Sequence, residues 1–493
     1  MVKDRTYGIP ERLGNWIAGR EVPAADDSWF VKHDPATGRP QSEVARSRKD
    51  DVDAAVAAAQ AAFAPWRALT PVARADHLRA IALAMRVHSE DFAAIVHRET
   101  GKSMRDARGE VSAAFEMGMF VAGEGRRSYG RTTTSAVPNR AALVMRQPLG
   151  VAGLIVAANT PIANVAWKVF PALVCGNAAV LKAAEDTPAT AWAFAALAHD
   201  VGLPAGVLNV VQGFGEEAGA PLVQSTAVPV ISFTGSCEVG RTIGRVAGAR
   251  LAKVCLELGG KNPLVVCEDA DLDRAAEAAI LSAFSNAGQR CAAGSRLIVF
   301  DSVYEAFRRK LMDRAARIRV GTDDDADFGP VINRSQLENM LAAIQRAVAG
   351  GARLVIGGER LTGPGYDGGY FLAPTVLENV GADDEVWRTE LFGPITVLHR
   401  APDFAGAVAL ANRSPYGLTA AIWTRSMHRA MTFVNRAETG VVSVNGATYG
   451  SEPHMPFGGL KQSGNGMREA GTEALDVYSD WKTVYLNYDP LST

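Results

Sequence analysis

From Ala141 onward, short apolar segments alternate with helical ones, and this alternation limits the chain to few architectures. "VAGLIVAA", "AAVLKAA", "GVLNVVQG" and "VPVISFTG" are strand-like and end in small or polar residues, with helical stretches such as "TPATAWAFAALAHDVG" between them. Parallel neighbours need crossover helices, so the pattern predicts an α/β fold of β-α-β units with ligands bound beyond the carboxyl ends of the strands. A second alternating block starts near "NPLVVCEDADLDRAAEAAILSAFSNAG", continues through "RLIVF", "ARLVIGG", "ITVLHR" and "LTAAIWT", and ends around Phe457. The 493 residues exceed what one hydrophobic core organises. No low-complexity linker separates the blocks, so close packing is expected.

The chain before Ala141 reads as an irregular strand-bearing segment followed by Ala-rich amphipathic helices from about Lys49 to Arg127. The closing "DVYSDWKTVYLNY" looks like an exposed strand able to pair with an edge outside its own domain. The longest uncharged run, Gln147 to Trp167, carries Pro148, Asn159, Pro161 and Asn164, which are costly in lipid, so it reads as a buried strand and loop. With 51 basic against 53 acidic residues and no single-sign run, nothing suggests nucleic-acid binding. Five scattered cysteines without a CxxC pair argue against disulfides and zinc, so no metal is expected. The start, "MVKDRTYGIPERLG", lacks the apolar core of a signal peptide, and a cytoplasmic setting fits best.

Two strand ends offer cofactor chemistry. In "VPVISFTGSCEVGRTIGRVAG" a strand through Phe233 turns at Thr234, Gly235 and Ser236 into a helix, aiming free N–H groups at an anion. A plain helix cap is the competing reading. In "AAVLKAAEDTPATA" the strand ends at Lys182 with Glu185 three positions on, a pair that either shares ribose hydroxyls or forms a solvated ion pair. Adjacent β-α turns on one sheet edge could hold one dinucleotide.

Three further residues offer reaction chemistry. Cys291, in "SNAGQRCAAGSR", sits among small residues that permit close approach, with Arg290 able to favour a thiolate; the alternative is an inert buried thiol. Glu257, in "VCLELGGKNP", is a carboxylate on an apolar strand end, where desolvation would raise its pKa toward that of a general base; a surface-facing strand residue is the alternative. Asn159, closing "LIVAAN", either stabilises an oxyanion or caps a turn.

Taken in order, "AANTP", "VLKAAEDTP", "SFTGSCEVG", "LELGGKNP", "NAGQRC", "ELFGPI" and "PFGGLKQSG" resemble the motifs of the NAD(P)-dependent aldehyde dehydrogenase superfamily, non-acylating type, over nearly the whole chain. The resemblance implies a Rossmann-type cofactor domain from residues 1–127 and 149–258, an α/β catalytic domain from 259–459, and a small β oligomerisation element from 128–148 and 476–493. It also implies that Cys291 attacks the aldehyde carbon to give a thiohemiacetal, while Asn159 and the Cys291 N–H hold the oxyanion. Hydride transfer leaves a thioester, and Glu257 activates the water that releases the acid. By the same resemblance Lys182 and Glu185 contact the adenine ribose, Gly235 and Ser236 the pyrophosphate, and Glu390 and Phe392 the nicotinamide ribose and ring. Glu185 would repel a 2′-phosphate, so NAD is expected over NADP. A homodimer or homotetramer is expected.

Where this family often has Pro-Trp before the asparagine and an aromatic after it, this chain has Ala157, Ala158 and Thr160. Trp167 falls where succinic semialdehyde dehydrogenases are expected to have an arginine, which favours a neutral aldehyde; Phe457 is a further candidate tunnel residue. Arg290, Asn164, His454 and the Arg126–Arg127 pair are candidates for a polar or anionic tail, though packing roles compete. Two rivals stand beside aldehyde oxidation to the acid. A CoA-acylating semialdehyde dehydrogenase needs no general-base glutamate, so Glu257 favours hydrolysis. A non-catalytic descendant of the fold has no reason to keep Cys291, Glu257 and Asn159 together.

Overall fold

The computed structural model describes residues 5–490. Residues 1–4 and 491–493, which fall in the expected cofactor and oligomerisation segments, lie outside the described residues. Two seven-stranded sheets organise the chain. In the first, the strands Lys253–Leu258, Val230–Gly235, Val151–Ile155, Ala178–Lys182 and Leu208–Val211 lie side by side in that order, all parallel. The N-terminal hairpin Asn15–Ile17 and Arg20–Val22 extends this sheet antiparallel. The parallel strands are apolar almost throughout because helices cover both faces. On one side lie Pro161–Val174 and Pro188–Asp200, with the Ala-rich helices Pro71–Val87, Ser89–Thr100 and Met104–Glu124 packed behind them; Lys49–Ala68 and Cys237–Ala249 pack apolar faces with the sheet's other side.

The second sheet has the order Arg353–Ile356, Thr375–Glu378, Ile395–Ala401, Gly294–Phe300, Asn262–Val266, Thr419–Trp423, Val441–Val444. Only its first strand runs antiparallel. The Gln147–Trp167 run is the end of one strand, the strand Val151–Ile155, a loop and the start of a helix, mostly buried. Among the described residues, no helix is long and apolar enough to cross a membrane.

The terminal segment forms the strand Ser479–Asn487, paired antiparallel along its whole length with Arg140–Pro148, and Arg131–Thr133 completes this third sheet. Trp481, Tyr485 and Leu486 are exposed on it, and Arg146 lies 4.1 Å from the Trp481 ring. One local expectation needs correction. The strand before Ser236 does not stop at Phe233; Thr234 and Gly235 continue it, pairing with Glu257 and Leu258. The adjacent strand is long enough to keep the ladder going through these small residues.

Candidate active site

The segment carrying Cys291 is placed by its own backbone. The helix Leu272–Phe284 ends in a tight turn in which Asn286, Ala287 and Gly288 all adopt left-handed φ values of 55°, 54° and 65°. Gly288 belongs here for a second reason, since a Cβ would meet the Gly393 carbonyl oxygen at 2.0 Å. The turn is locked by hydrogen bonds from Asn286 Nδ2 to the carbonyls of Asn159 and Gln289, each 3.1 Å, while Gln289 Oε1 accepts from the Ile332 N–H at 2.8 Å. Beyond it, Asn262 Nδ2 donates to the carbonyls of Cys291 (2.8 Å) and Ala293 (2.9 Å), and Thr448 Oγ1 donates to that of Ala292 (2.7 Å). Four chain segments therefore clasp the cysteine's backbone.

Cys291 is half-buried, and burial pushes its thiol up to about 12, with the negative Glu390 and Glu257 adding to the shift and Arg290 opposing it. The expectation that Arg290 would tip the thiol toward thiolate is thus outweighed in the free protein by desolvation and two carboxylates. Asn159 lies against the same segment, its Nδ2 donating to the Gln289 carbonyl at 3.0 Å. One amide hydrogen of Asn159 and the Cys291 backbone N–H have no acceptor among the described residues. Asn164 turns its amide toward Asn159 Oδ1 (3.2 Å), the Ala157 carbonyl (3.1 Å) and Thr160 Oγ1 (3.2 Å), which fixes the orientation of the Asn159 side chain.

Glu257 occupies the end of the strand Lys253–Leu258 and is 5% exposed, yet neither carboxylate oxygen has a hydrogen-bond partner. Burial raises its pKa well above the usual carboxylate range, the neighbouring Glu469 raises it further, and Lys168 and Arg468 pull it down. The loop after Phe457 holds this strand end. The Leu258 N–H donates to the Ser463 carbonyl (3.0 Å), Ser463 Oγ donates to the Gly259 carbonyl (2.7 Å), and Asn465 Nδ2 donates to the Val254 carbonyl (2.7 Å). Gly458, at φ 150°, packs so close that a Cβ would meet Glu257 Oε1 at 2.8 Å.

Behind Glu257 lies a polar network that sequence reasoning missed. Lys168, fully buried, donates to Ser232 Oγ at 2.8 Å and pairs with Glu469, whose Oε1 also accepts from Ser232 Oγ at 2.6 Å. The available signal was a lone lysine inside the apolar run "IANVAWKVFPAL"; its partner lies 301 residues away.

The remaining candidates separate into groups. Trp167 and Phe457 meet edge to face, with centroids 5.5 Å apart. Arg290 lies over the Tyr449 ring at 4.7 Å. His454 is exposed and faces Glu452 at 3.7 Å, Arg127 pairs with Glu124, and Arg126 is exposed. Glu390 accepts from the Gly260 N–H at 2.9 Å, and a Cβ on Gly259 would strike its Oε2 at 1.7 Å, so the paired glycines make room for this carboxylate. Its pKa is raised to about 7 by burial. Phe392, two residues on, takes the left-handed φ of 56°.

On the first sheet's edge, Ser236 caps the helix Cys237–Ala249, its Oγ accepting from the Val239 N–H at 3.3 Å. Thr234 Oγ1 is buried there without a partner. Lys182, buried, pairs at 2.7 Å with the more exposed Glu185, and a cleft of about 410 Å³ opens beside Glu185, walled by Lys32, Phe214, Asn333 and Arg334. A capped helix end, an orphaned hydroxyl and a Lys–Glu pair at the carboxyl ends of one parallel sheet suit a dinucleotide, but the two turns are not adjacent as the sequence suggested, because the strand Val151–Ile155 lies between theirs.

The aldehyde dehydrogenase family model matches residues 22–484. The chain belongs to the aldehyde dehydrogenase family. It is 40% identical over 475 residues to an α-ketoglutaric semialdehyde dehydrogenase of Bacillus subtilis (strain 168), covering 96% of this chain and 97% of the relative. Among solved structures, betaine aldehyde dehydrogenase from Staphylococcus aureus in complex with NAD+ superposes with a TM-score of 0.94 at 32% identity, over 97% of this chain and 95% of that one. An Escherichia coli NADP-dependent enzyme gives 0.93 at 36% identity, over 97% and 98%. This aldehyde dehydrogenase therefore uses NAD or NADP and oxidises an aldehyde to the acid.

Proposed function

We propose that Cys291, Asn159 and Glu257 carry the reaction in three separable roles, and that the acyl group passes to water. Cys291 attacks the aldehyde carbon, forming a C–S bond as the carbonyl π pair moves to oxygen and the thiol proton passes to water. The oxyanion so created meets the spare Asn159 amide hydrogen and the Cys291 backbone N–H, two donors already fixed by the turn around them. NAD(P), held by the residues named below, would accept hydride, and the acyl group is left on Cys291 as a thioester. Glu257 then takes a proton from water as its oxygen attacks the thioester, and the acid leaves as the C–S bond breaks and the thiol is restored.

The observation that carries this reading is Glu257 itself, a buried carboxylate whose two oxygens no protein group satisfies. Burying such a group unpaired is costly unless it is put to use. Lys168 and Glu469, joined behind it, form a positioning network whose lysine favours the ionised carboxylate. Asn164 acts on Asn159 rather than on substrate, and Trp167 and Phe457 wall the aldehyde passage. His454, paired with Glu452 at the surface, contributes little to substrate contact.

At the cofactor end, Lys182 and Glu185 take the adenine ribose, Gly235 and Ser236 the pyrophosphate, and Glu390 and Phe392 the nicotinamide side. The Glu185 carboxylate supports NAD over NADP. The segments 1–127 and 149–258 serve as the cofactor domain and 259–459 as the catalytic domain. The exposed aromatic strand Ser479–Asn487 with its partner Arg140–Pro148 serves as the oligomerisation element of a homodimer or homotetramer. Five free thiols suit a reducing, cytoplasmic compartment.

The test is turnover in ¹⁸O-water with NAD or NADP, with and without CoA. One ¹⁸O in the acid without CoA, with the larger kcat/KM for NAD, supports the reading; acyl-CoA as an obligatory product overturns it.

A further inference from the structure

Beside Cys291 stands a cation that the chemistry above leaves unused. Arg290 immediately precedes Cys291, is half-buried, and is held in place without being neutralised. Its Nε donates to Ser285 Oγ at 3.2 Å and its guanidinium lies over the Tyr449 ring at 4.7 Å. Its two terminal amino groups have no acceptor, and no carboxylate pairs with it, among the described residues. Arg308 with Glu378 and Arg429 with Glu268 and Asp269 are matched to acids, while the half-buried Arg250, Arg360 and Arg468 donate to backbone carbonyls; Arg290 has neither kind of partner for its terminal amino groups among the described residues.

Tyr449 is not a chance neighbour. It follows Thr448, whose hydroxyl grips the Ala292 carbonyl, so the same loop that fixes the nucleophile's backbone supplies the platform for the guanidinium. The guanidinium is thereby held from two sides, by Ser285 and Tyr449, with its terminal amino groups unmatched among the described residues. A guanidinium presents paired N–H donors in a plane that matches a carboxylate, and stacking on an aromatic ring removes part of the entropic cost of holding it there.

The surroundings make such a cation useful. Glu257 and Glu390 lie close enough to act on Cys291, and negative charge on either would repel an anionic substrate. A single guanidinium at the nucleophile's shoulder offsets that repulsion for one negative charge. It is poorly matched to a phosphate dianion, which would call for a second cation.

We infer that Arg290, stacked on Tyr449 and steadied by Ser285, is a specificity-determining residue that binds a carboxylate at the far end of the aldehyde, making the preferred substrate an acidic semialdehyde. This rests on the aldehyde oxidation proposed above and replaces the neutral preference that Trp167 alone suggests. The semialdehyde named for the Bacillus relative is an acid of this class.

The test compares an ω-carboxyl aldehyde with the alkanal of the same chain length, as the ratio of their kcat/KM values in the wild type, Arg290→Gln and Arg290→Lys. A single charge-assisted pair predicts a wild-type ratio of about tenfold or more in favour of the acid. In Arg290→Gln the ratio collapses toward one, mainly through a higher KM for the acid, and Arg290→Lys restores part of it. A ratio measured within each protein is insensitive to loss of folded enzyme. A wild type without preference for the acid, or a ratio unchanged in Arg290→Gln, overturns the carboxylate site while leaving aldehyde oxidation standing. No reduced cofactor from either aldehyde overturns both.

Discussion

Glu99 and Glu257 are both buried carboxylates in apolar surroundings, and their contrast separates a structural acid from a chemical one. Glu99, fully buried, accepts hydrogen bonds from the Ala189 N–H (2.6 Å), the Thr190 N–H (3.0 Å) and Thr190 Oγ1 (2.6 Å) at the start of the helix Pro188–Asp200. It ties the helical layer to the cofactor sheet, offsetting burial with three donors and the positive end of the helix dipole. Its pKa is still raised to about 7, because desolvation exceeds those donors. Glu257 is nearly as buried and has no donor, so its pKa stands well above the ordinary range. The first carboxylate is bound into the fold, and the second is left unpaired among the described residues, as the proposed reaction with water requires.

That contrast can be broken by substitution. Glu257→Gln should lower steady-state kcat by about a thousandfold, within the range for loss of a general base, while thermal unfolding changes little because no hydrogen bond is lost. Asn159→Ala should cost about a hundredfold in kcat through loss of an oxyanion donor, read from initial rates. Glu99→Ala should do the opposite of Glu257→Gln. It leaves three donors unpaired and lowers stability by ~3 kcal/mol in denaturant melts, with kcat per folded site preserved.

Three smaller effects are read through pH or thiol reactivity. The folded pKa of Glu99 lies near 7, above the value of 4.5 for an unperturbed glutamate, so the folded protein holds this proton more tightly than the unfolded one. The resulting stabilisation is complete below 4.5 and is lost as pH rises to about 7. Glu99→Gln should therefore show a shallower fall of Tm across that window than the wild type. At the site, Glu390→Gln removes a negative neighbour of Cys291, lowering the thiol pKa and speeding iodoacetamide alkylation severalfold at pH 8. For Glu257 the base form is required, so a raised pKa predicts a deacylation rate that climbs with pH above neutrality.

Much of this was legible in the sequence because it is local. Strand periodicity located most parallel strands of the first sheet, while Cys291, Glu257 and Asn159 each kept a structural alternative until seven motifs in order supplied the family resemblance. What escaped depends on distant partners. Lys168 reads as an anomaly in an apolar helix until folding brings Glu469 to it, and Asn262 reads as part of a turn until its amide is found under the Cys291 and Ala293 carbonyls. The left-handed run at Asn286, Ala287 and Gly288 was hidden because alanine rarely takes that conformation; the clasp around the turn imposes it. The role of Asn164 was masked in the same way, since an amide one helical turn from Asn159 serves a substrate or a neighbour equally well until its hydrogen bonds are known.

In the proposed reaction Cys291 carries the acyl group and Glu257 releases it. The most direct measurement is the intact mass of Glu257→Gln after rapid mixing with aldehyde and NAD, together with the reduced cofactor formed per site. That reaction predicts about one NADH per site and an acyl adduct on Cys291 that persists. Continued turnover with an unmodified Cys291 would contradict it.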